Sequence, residues 1–180
     1  MRAAALLVII GLLLPSRGAA DLEQKQLELK AAIVQQFVRF VRWPEELLPG
    51  EGEPFVLCIL DRQALADRLV LMVRDQQVQK RSLEVRPVQH PTAACHLLFI
   101  GSRQPEDRER IRREVLAQPI LTVGDADDFA IRGGMIEIYW KAGRAKLRIN
   151  KQAVEHASLR ITSRLLALAE IIEGPRQAKH

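Results

Sequence analysis

Among the residues of this 180-residue chain, two cysteines are the clearest candidates for covalent chemistry. Cys58 and Cys95 each lie in or beside an apolar, strand-like run, and neither has the CxxC spacing of a redox or zinc site. In an oxidising compartment an even number of cysteines favours a disulfide, here closing a loop of about 38 residues. The alternative is a pair of buried thiols that pack as small apolar groups.

The other titratable residues form no recognisable catalytic or metal-binding pattern. No two of the four histidines are three or four positions apart. His96 lies inside an apolar run, so we expect a core histidine that donates to a backbone carbonyl rather than a metal ligand. Asp125, Asp127 and Asp128 lack the spacing of an EF-hand and are interpreted as a solvated loop or a helix cap. No catalytic residue, metal site or cofactor is therefore predicted.

Five residues in the last third of the chain are candidates for contact with a partner protein: Phe129, Gly133, Gly134, Tyr139 and Trp140. The two glycines predict a turn with positive φ that leads into a hairpin, and close backbone approach to a ligand or partner is the alternative. The three aromatic side chains are interface anchors if they are exposed and ordinary core residues if they are buried.

These residues must be positioned by alternating helices and strands. Apolar runs predict strands over 55–60, 95–100 and 120–123, and alternating apolar positions predict another over 82–88. Three- and four-residue spacing predicts helices over 21–41, after Asp61 as a capping residue, and over about 105–117.

The pattern changes towards the C-terminus. Short alternating segments over 135–140 and 145–150 predict an antiparallel hairpin. A last helix is predicted over 151–173, with Asn150 as its cap, because five apolar residues share one stripe: Val154, Ile161, Leu165, Leu168 and Ile172.

The order of elements predicts an α/β fold, a three-layer sandwich with a mostly parallel sheet, a C-terminal antiparallel hairpin and flanking helices. If the first and third strands are adjacent, as in a flavodoxin-like order, Cys58 and Cys95 come to neighbouring strands. The fold prediction and the disulfide hypothesis therefore support each other.

The first twenty residues have the layout of a cleaved signal peptide, and an uncleaved membrane anchor is the alternative. Arg2 precedes a short apolar run, and small residues stand before Asp21. One domain is then predicted over 21–174, with a polar tail over 175–180. The net charge of +5 falls to about +3 after cleavage, with acids and bases interspersed, which does not favour nucleic-acid binding. We expect a protein that works outside the cytosol.

Several short pieces occur along the chain in a fixed order. They include the aromatic positions of the first predicted helix, the Trp43-Pro44 pair that follows it, the two cysteine-containing runs, and these later pieces: 121–125, Phe129-Ala130, 133–136, Ile149-Asn150 and 159–166. Taken together, these pieces resemble the YfiR-like family. Each piece alone has low specificity, but their order and spacing together are specific. They cover nearly the whole of the predicted mature chain.

The resemblance implies a periplasmic regulator without catalytic activity. It implies binding to the periplasmic sensor region of an inner-membrane diguanylate cyclase, which lowers cyclic di-GMP and biofilm formation. An OmpA-like outer-membrane lipoprotein as a second partner and a homodimer are also implied. Cys58 and Cys95 match the disulfide-forming pair of the family, whereas a second cysteine pair of the family has no counterpart here.

Two hypotheses about function follow. In the first, the segment from Asp125 to Trp140 presents the contact surface for the cyclase, because it combines turns with large aromatic side chains. In the alternative, the protein is a periplasmic small-molecule-binding protein or an unrecognised enzyme. Its pocket would lie at the carboxyl ends of the strands, near Asp61, Gly101 and Gly124.

Overall fold

The computed structural model describes residues 17–92, 94–101, 104–115 and 118–173. Most of the predicted signal peptide and the whole predicted polar tail lie outside the described residues. Arg17–Ala20, the last four residues of the predicted signal peptide, form the first turn of a helix.

The described residues form helices and strands in alternation. The helices are α1 (Arg17–Phe40), α2 (Gln63–Val73), α3 (Pro105–Val115), α4 (Lys151–His156) and α5 (Ser163–Leu166). A 3₁₀ turn covers Glu45–Leu47. The strands are β1 (Val41–Arg42), β2 (Phe55–Leu60), β3 (Gln77–Val78), β4 (Arg81–Val88), β5 (Leu97–Ile100), β6 (Leu121–Gly124), β7 (Ile136–Lys141), β8 (Arg144–Asn150), β9 (Arg160–Ile161) and β10 (Ala169–Ile172).

Eight of these strands form one sheet in the order β10-β8-β7-β6-β5-β2-β4-β3. The five central strands, from β7 to β4, are parallel to one another, and β2 lies between β4 and β5. The predicted α/β class and the adjacency of the first and third long strands are therefore confirmed. The short strands β1 and β9 pair separately.

Side chains of β2 alternate between two cores, which explains why all six of its residues are apolar and buried. Phe55, Leu57 and Ile59 point to a core that α1 and α2 cover, hereafter the α1–α2 face. The residues between them point to a second core, on which Ile111 and Val115 of α3 pack, hereafter the α3 face. The sheet and the helices on its two faces make the predicted three layers.

The predicted hairpin is confirmed as β7 and β8, which pair from Ile136–Ile149 to Lys141–Arg144. Ala142 and Gly143 form the connection, with φ values of 49° and 74°. Two successive residues with positive φ are the geometry of a two-residue type I′ turn, whose twist matches that of paired strands. The turn fixes the register, so it also fixes which side chains share a face.

The predicted last helix over 151–173 is wrong beyond its first turns, because α4 ends at His156. Ser158 has a φ of 58°, and Leu159 N–H donates to the carbonyl of Val154 at 3.1 Å, which closes the helix end. The chain then forms β9, α5 and β10, and β10 pairs in parallel with β8. Strand pairing here overrides the helical spacing, and Leu168 of the predicted stripe is 70 % exposed.

The two predicted helix caps have different outcomes. Asn150 caps α4 as expected, since its side chain accepts from Ala153 N–H at 3.0 Å. Asp61 does not cap α2: the capping position is Arg62, which makes no capping side-chain bond. Asp61 instead has a φ of 56°, and this left-handed residue turns the chain from β2 towards the helix.

Candidate functional site

The predicted disulfide is confirmed between Cys58 and Cys95, whose Cα atoms are 5.7 Å apart. Cys58 lies in the middle of β2, and Cys95 stands just before β5, the neighbouring strand. Both sulfur atoms belong to the buried core of the α3 face. The bond therefore joins two central strands from within the smaller of the two cores.

His96 is a core histidine, as predicted, but its hydrogen bond has the opposite direction. Its Nδ1 accepts from the backbone N–H of Val56 at 3.0 Å, and its ring contacts Phe55 edge-on at a centroid distance of 5.0 Å. The pKa of His96 is lowered chiefly by burial; Glu53 opposes the shift and Arg86 adds to it. The neutral imidazole thus adds a side-chain hydrogen bond to the backbone bonds that join β2 and β5.

Phe129 is buried and belongs to the core of the α3 face, so it is not an exposed anchor. Two glycines make room for its ring. A Cβ at Gly124 would stand 2.6 Å from Phe129 Cδ2, and a Cβ at Gly134 would stand 2.2 Å from Phe129 Cε1. The close approach expected at the glycine pair is therefore, at Gly134, an approach to this ring within the chain.

Gly133 has the positive φ that was predicted, 100°. A Cβ at this position would lie 2.9 Å from Cδ of Arg112, because the Arg112 side chain crosses the turn. The turn preceding β7 is therefore fitted to α3. Gly133 and Gly134 hold the segment before β7 in place, and contact of a partner with these two residues stays a prediction.

Tyr139 belongs to a polar network on the hairpin, which we call the hairpin face: Glu137, Tyr139, Arg148 and Glu170. Glu137 is 2 % exposed, and its two carboxylate oxygens accept from Arg148 Nη1 and from Ala130 N–H, each at 3.0 Å. A buried carboxylate needs such partners, because an unpaired buried charge is strongly unfavourable. Arg148 is the residue directly opposite in the ladder.

The outer part of the hairpin face is more exposed. Arg148 also contacts Glu170 at 3.2 Å, and its guanidinium carbon lies 4.7 Å from the centre of the Tyr139 ring. The Tyr139 hydroxyl donates to Glu170 at 3.0 Å. Burial and this bond to Glu170 raise the pKa of Tyr139. The face thus presents an aromatic ring and a guanidinium fixed by two carboxylates.

Trp140 is half-buried and lines a cavity of about 410 Å³ beside the hairpin, which we call the acidic notch. β6 pairs with β7 only at Ile136 and Glu137, so the outer half of β7 has no neighbour from β6. The notch lies there, and its lining comprises Asp125, Asp127, Asp128, Glu137, Ile138, Tyr139, Trp140 and Arg148. Tyr139 and Trp140 are therefore brought together with the acidic loop.

The alternative hypothesis places a pocket at the carboxyl ends of the central strands, near Asp61, Gly101 and Gly124. Side chains fill the space beside the two glycines. Arg62 occupies the space beside Gly101, since a Cβ there would be 2.2 Å from Arg62 Cγ. The Phe129 ring occupies the space beside Gly124. The carboxylate of Asp125 pairs with Lys30 and with Arg62, the latter at 3.4 Å, which links this edge to α1 and to the start of α2.

A profile of one protein family, described as YfiR/HmsC-like, matches residues 27–170. The chain belongs to the YfiR/HmsC-like family. The match runs from α1 into β10 and confirms the resemblance found in the short sequence pieces. A comparison with curated proteins finds no match.

Membership in the YfiR/HmsC-like family suggests a periplasmic regulator of diguanylate cyclase activity rather than an enzyme. Across the parts of the chain that the structure describes, no group of three or more histidine, cysteine, aspartate or glutamate residues could hold a metal ion. Over the same described ranges, none of the helices has the length and apolar character needed to cross a membrane.

Sequence reasoning missed Glu137, Arg148 and Glu170. A signal for the first two was present: a two-residue turn at Ala142-Gly143 places Glu137 opposite Arg148 by register alone. Glu170 had no such signal, because it was assigned to a helix.

Proposed function

We propose that this protein binds the periplasmic sensor region of an inner-membrane diguanylate cyclase and inhibits the enzyme, which lowers cyclic di-GMP. The observation that carries this proposal is the family match over residues 27–170, which includes both cores and the hairpin. The confirmed disulfide supports it, because such bonds persist in oxidising compartments such as the periplasm.

The proposed contact surface combines the hairpin face with the acidic notch. Tyr139 and Trp140 are half-buried aromatic residues of β7 that line the notch, and Asp127 and Asp128 supply exposed carboxylates. Aromatic residues of this kind often dominate the binding energy of an interface. The buried ring of Phe129 is assigned to the support of the surface rather than to the contact.

Inhibition by such a surface requires a difference in affinity between two states of the cyclase. A regulator that bound the active and inactive conformations equally would change nothing, however tightly it bound. The fixed geometry of Arg148, bonded to Glu137 and Glu170, favours recognition of one particular shape, because little side-chain entropy is lost on binding.

The test uses membranes that contain a candidate cyclase, for example one whose gene neighbours that of this protein. Trp140→Ala should weaken binding about tenfold or more, the effect expected of an aromatic anchor, and should restore cyclic di-GMP synthesis. Leu71→Ala is the matched control, because Leu71 is 63 % exposed on α2. Equal binding by both variants would remove the hairpin from the contact surface. Failure of the wild type to bind or inhibit the cyclase would reject the function itself.

Two further partners implied by the resemblance are part of the proposal. Capture by an OmpA-like lipoprotein would relieve inhibition. A homodimer is the second, and a helix with exposed apolar side chains would suit its interface. The last helix is replaced by strands, so α1 is the proposed dimer element, with Leu22 56 % and Leu29 44 % exposed. Sedimentation of the wild type and of a Leu22→Glu/Leu29→Glu variant tests this; an unchanged mass would exclude α1.

A further inference from the structure

A cavity of about 550 Å³ lies on the α3 face, between the first half of α3 and the segment that leads into β7. Its size falls within the range of about 300–1,000 Å³ that is usual for small-molecule sites. Its lining comprises Ile100, Pro105, Glu106, Glu109, Arg112, Thr122, Phe129, Arg132 and Gly134. Among the residues that the structure describes, none lines both this cavity and the acidic notch.

The inner part of this cavity is apolar. Ile100 and Phe129 are buried core residues, and Gly134 presents backbone without a side chain. Thr122 is polar, but its hydroxyl oxygen already accepts from Met135 N–H at 3.1 Å. A ligand seated here would therefore meet mainly hydrocarbon and aromatic surface.

The rim of the cavity carries two guanidinium groups, of Arg112 and Arg132, and two carboxylates, of Glu106 and Glu109. Arg112 donates through Nε and Nη2 to both carboxylate oxygens of Glu109, at 2.9 and 2.7 Å, and its stem rests against Gly133. This pairing leaves Nη1 outside the bond to Glu109. Arg132 is exposed on the opposite wall. Arg113, 3.9 Å from Glu109, further offsets the charge of that carboxylate.

We propose that this cavity binds a small amphipathic anion, with its flat apolar body on Phe129 and Ile100 and its acidic group towards Arg112 and Arg132. Guanidinium groups suit this role, because their planar donors match carboxylate, sulfonate and phosphate oxygens. An apolar interior with a few fixed polar groups is the usual construction of a ligand site.

The same segment of chain lines this cavity and the acidic notch. Phe129, Arg132 and Gly134 face the cavity, whereas Asp125, Asp127 and Asp128 face the notch. Between them, Ala130 is fixed on both of its backbone groups: its N–H donates to Glu137, and its carbonyl accepts from Asn150 Nδ2 at 3.0 Å. Because this segment is shared, the proposal includes a second part: a ligand in the cavity changes the affinity of the contact surface for the cyclase. This second part rests on the proposed function.

Binding is tested on the purified oxidised protein with two fluorescent probes. Anilinonaphthalene sulfonate is an aromatic anion, and N-phenylnaphthylamine is a neutral molecule of similar shape. Glu106→Trp places a bulky ring at the mouth of the cavity and should weaken both probes about tenfold or more. Glu46→Trp is the matched control, because it makes the same exchange at an exposed position of the 3₁₀ turn that does not line the cavity. It should leave both probes unchanged.

Arg132→Gln separates the head group from the apolar body. It should weaken the sulfonate about fivefold, the loss of one exposed charged contact, and leave the neutral probe unchanged. Amide shifts of Ala130 and Gly134 on addition of the sulfonate locate the site even if Glu106→Trp does not fold. Equal sulfonate affinity in all folded variants, or shifts confined to other regions, would overturn the site.

The coupling is tested separately, by measuring cyclase inhibition with and without saturating sulfonate. A change in wild-type inhibition that is lost in Glu106→Trp supports the coupling. Unchanged inhibition despite demonstrated binding overturns the coupling alone. Absence of inhibition without the probe contradicts the proposed function and leaves the binding result standing.

Discussion

The two faces of the central sheet are stabilised in different ways. Among the residues that the structure describes, 27 buried apolar residues form the core of the α1–α2 face, and ten form that of the α3 face. Hydrophobic stabilisation rises with the apolar area removed from water, so the second core contributes less. The disulfide lies in this smaller core.

The smaller core also underlies the surfaces that could bind other molecules. The 550 Å³ cavity lies directly on it, and the segment that continues into the acidic notch is anchored in it through Phe129. The α1–α2 face is thus stabilised by many buried apolar side chains. The α3 face has fewer of them, a disulfide and an adjoining cavity. We infer that the disulfide stabilises the α3 face, on which fewer apolar side chains pack.

The largest expected effect compares one helix residue from each face. Leu69→Ala on α2 should lower the free energy of unfolding by about 4 kcal/mol, and Ile111→Ala on α3 by about 2 kcal/mol. Leu69 is buried in the large core, whereas Ile111 is buried in the smaller core, which has fewer apolar side chains. Urea denaturation measures both. Equal losses of unfolding free energy would show that the two cores contribute alike.

Removal of the crosslink is expected to have the next largest effect. Cys58→Ala/Cys95→Ala should lower the free energy of unfolding by about 2–4 kcal/mol, because the unfolded chain regains the freedom of the closed loop. Hydrogen exchange should accelerate first in α3 and at the end of β2. Uniform acceleration in α1 and α3 would show that the bond stabilises both faces alike.

The free energy of unfolding should fall in acid because of His96, which lies beside the disulfide. The pKa of His96 is lowered chiefly by burial. Below about pH 6.5, His96 therefore binds a proton in the unfolded chain while it stays neutral in the folded chain. Stability is therefore complete above that pH and falls as the pH drops towards the lowered value. His96→Asn retains an acceptor for Val56 N–H without titrating, and its urea midpoint should change less between about pH 7.5 and about pH 5.5. Identical midpoint changes in both proteins would exclude His96 as the cause.

The smallest effect is expected on the hairpin face. Tyr139→Phe removes the bond to Glu170 and should lower the free energy of unfolding by about 0.5–1 kcal/mol, because the bond is exposed. The ring under Arg148 is retained. Thermal melting measures the loss. A loss as large as that of the disulfide variant would place Tyr139 in the stabilising core rather than on a binding surface.

Much of the fold could be predicted from local patterns. The continuous apolar run of β2 and the alternating hairpin strands each have one physical explanation, and the structure confirms both. The pairing of Cys58 with Cys95 followed from strand order and was supported by the resemblance. The C-terminal region could not be predicted, because Val154, Leu165 and Leu168 have helical spacing while β8 offers a free edge for β10.

The candidate site was harder to predict than the fold. A sequence does not show that the spaces beside Gly124 and Gly134 are filled by Phe129, because that fit depends on residues brought together by folding. Likewise, the cavity beside α3 arises from the distance between a helix and a turn. The aromatic pair Tyr139 and Trp140 was found because hairpin geometry is local.

The position of the sulfur bridge along the chain has a consequence for partial opening. The covalent ring encloses α2 and β4 between Cys58 and Cys95, and everything from β6 onwards lies outside it. The bond therefore restrains separation of β5 from β2, whereas the hairpin, its acidic loop and β10 are joined to the sheet by non-covalent contacts alone.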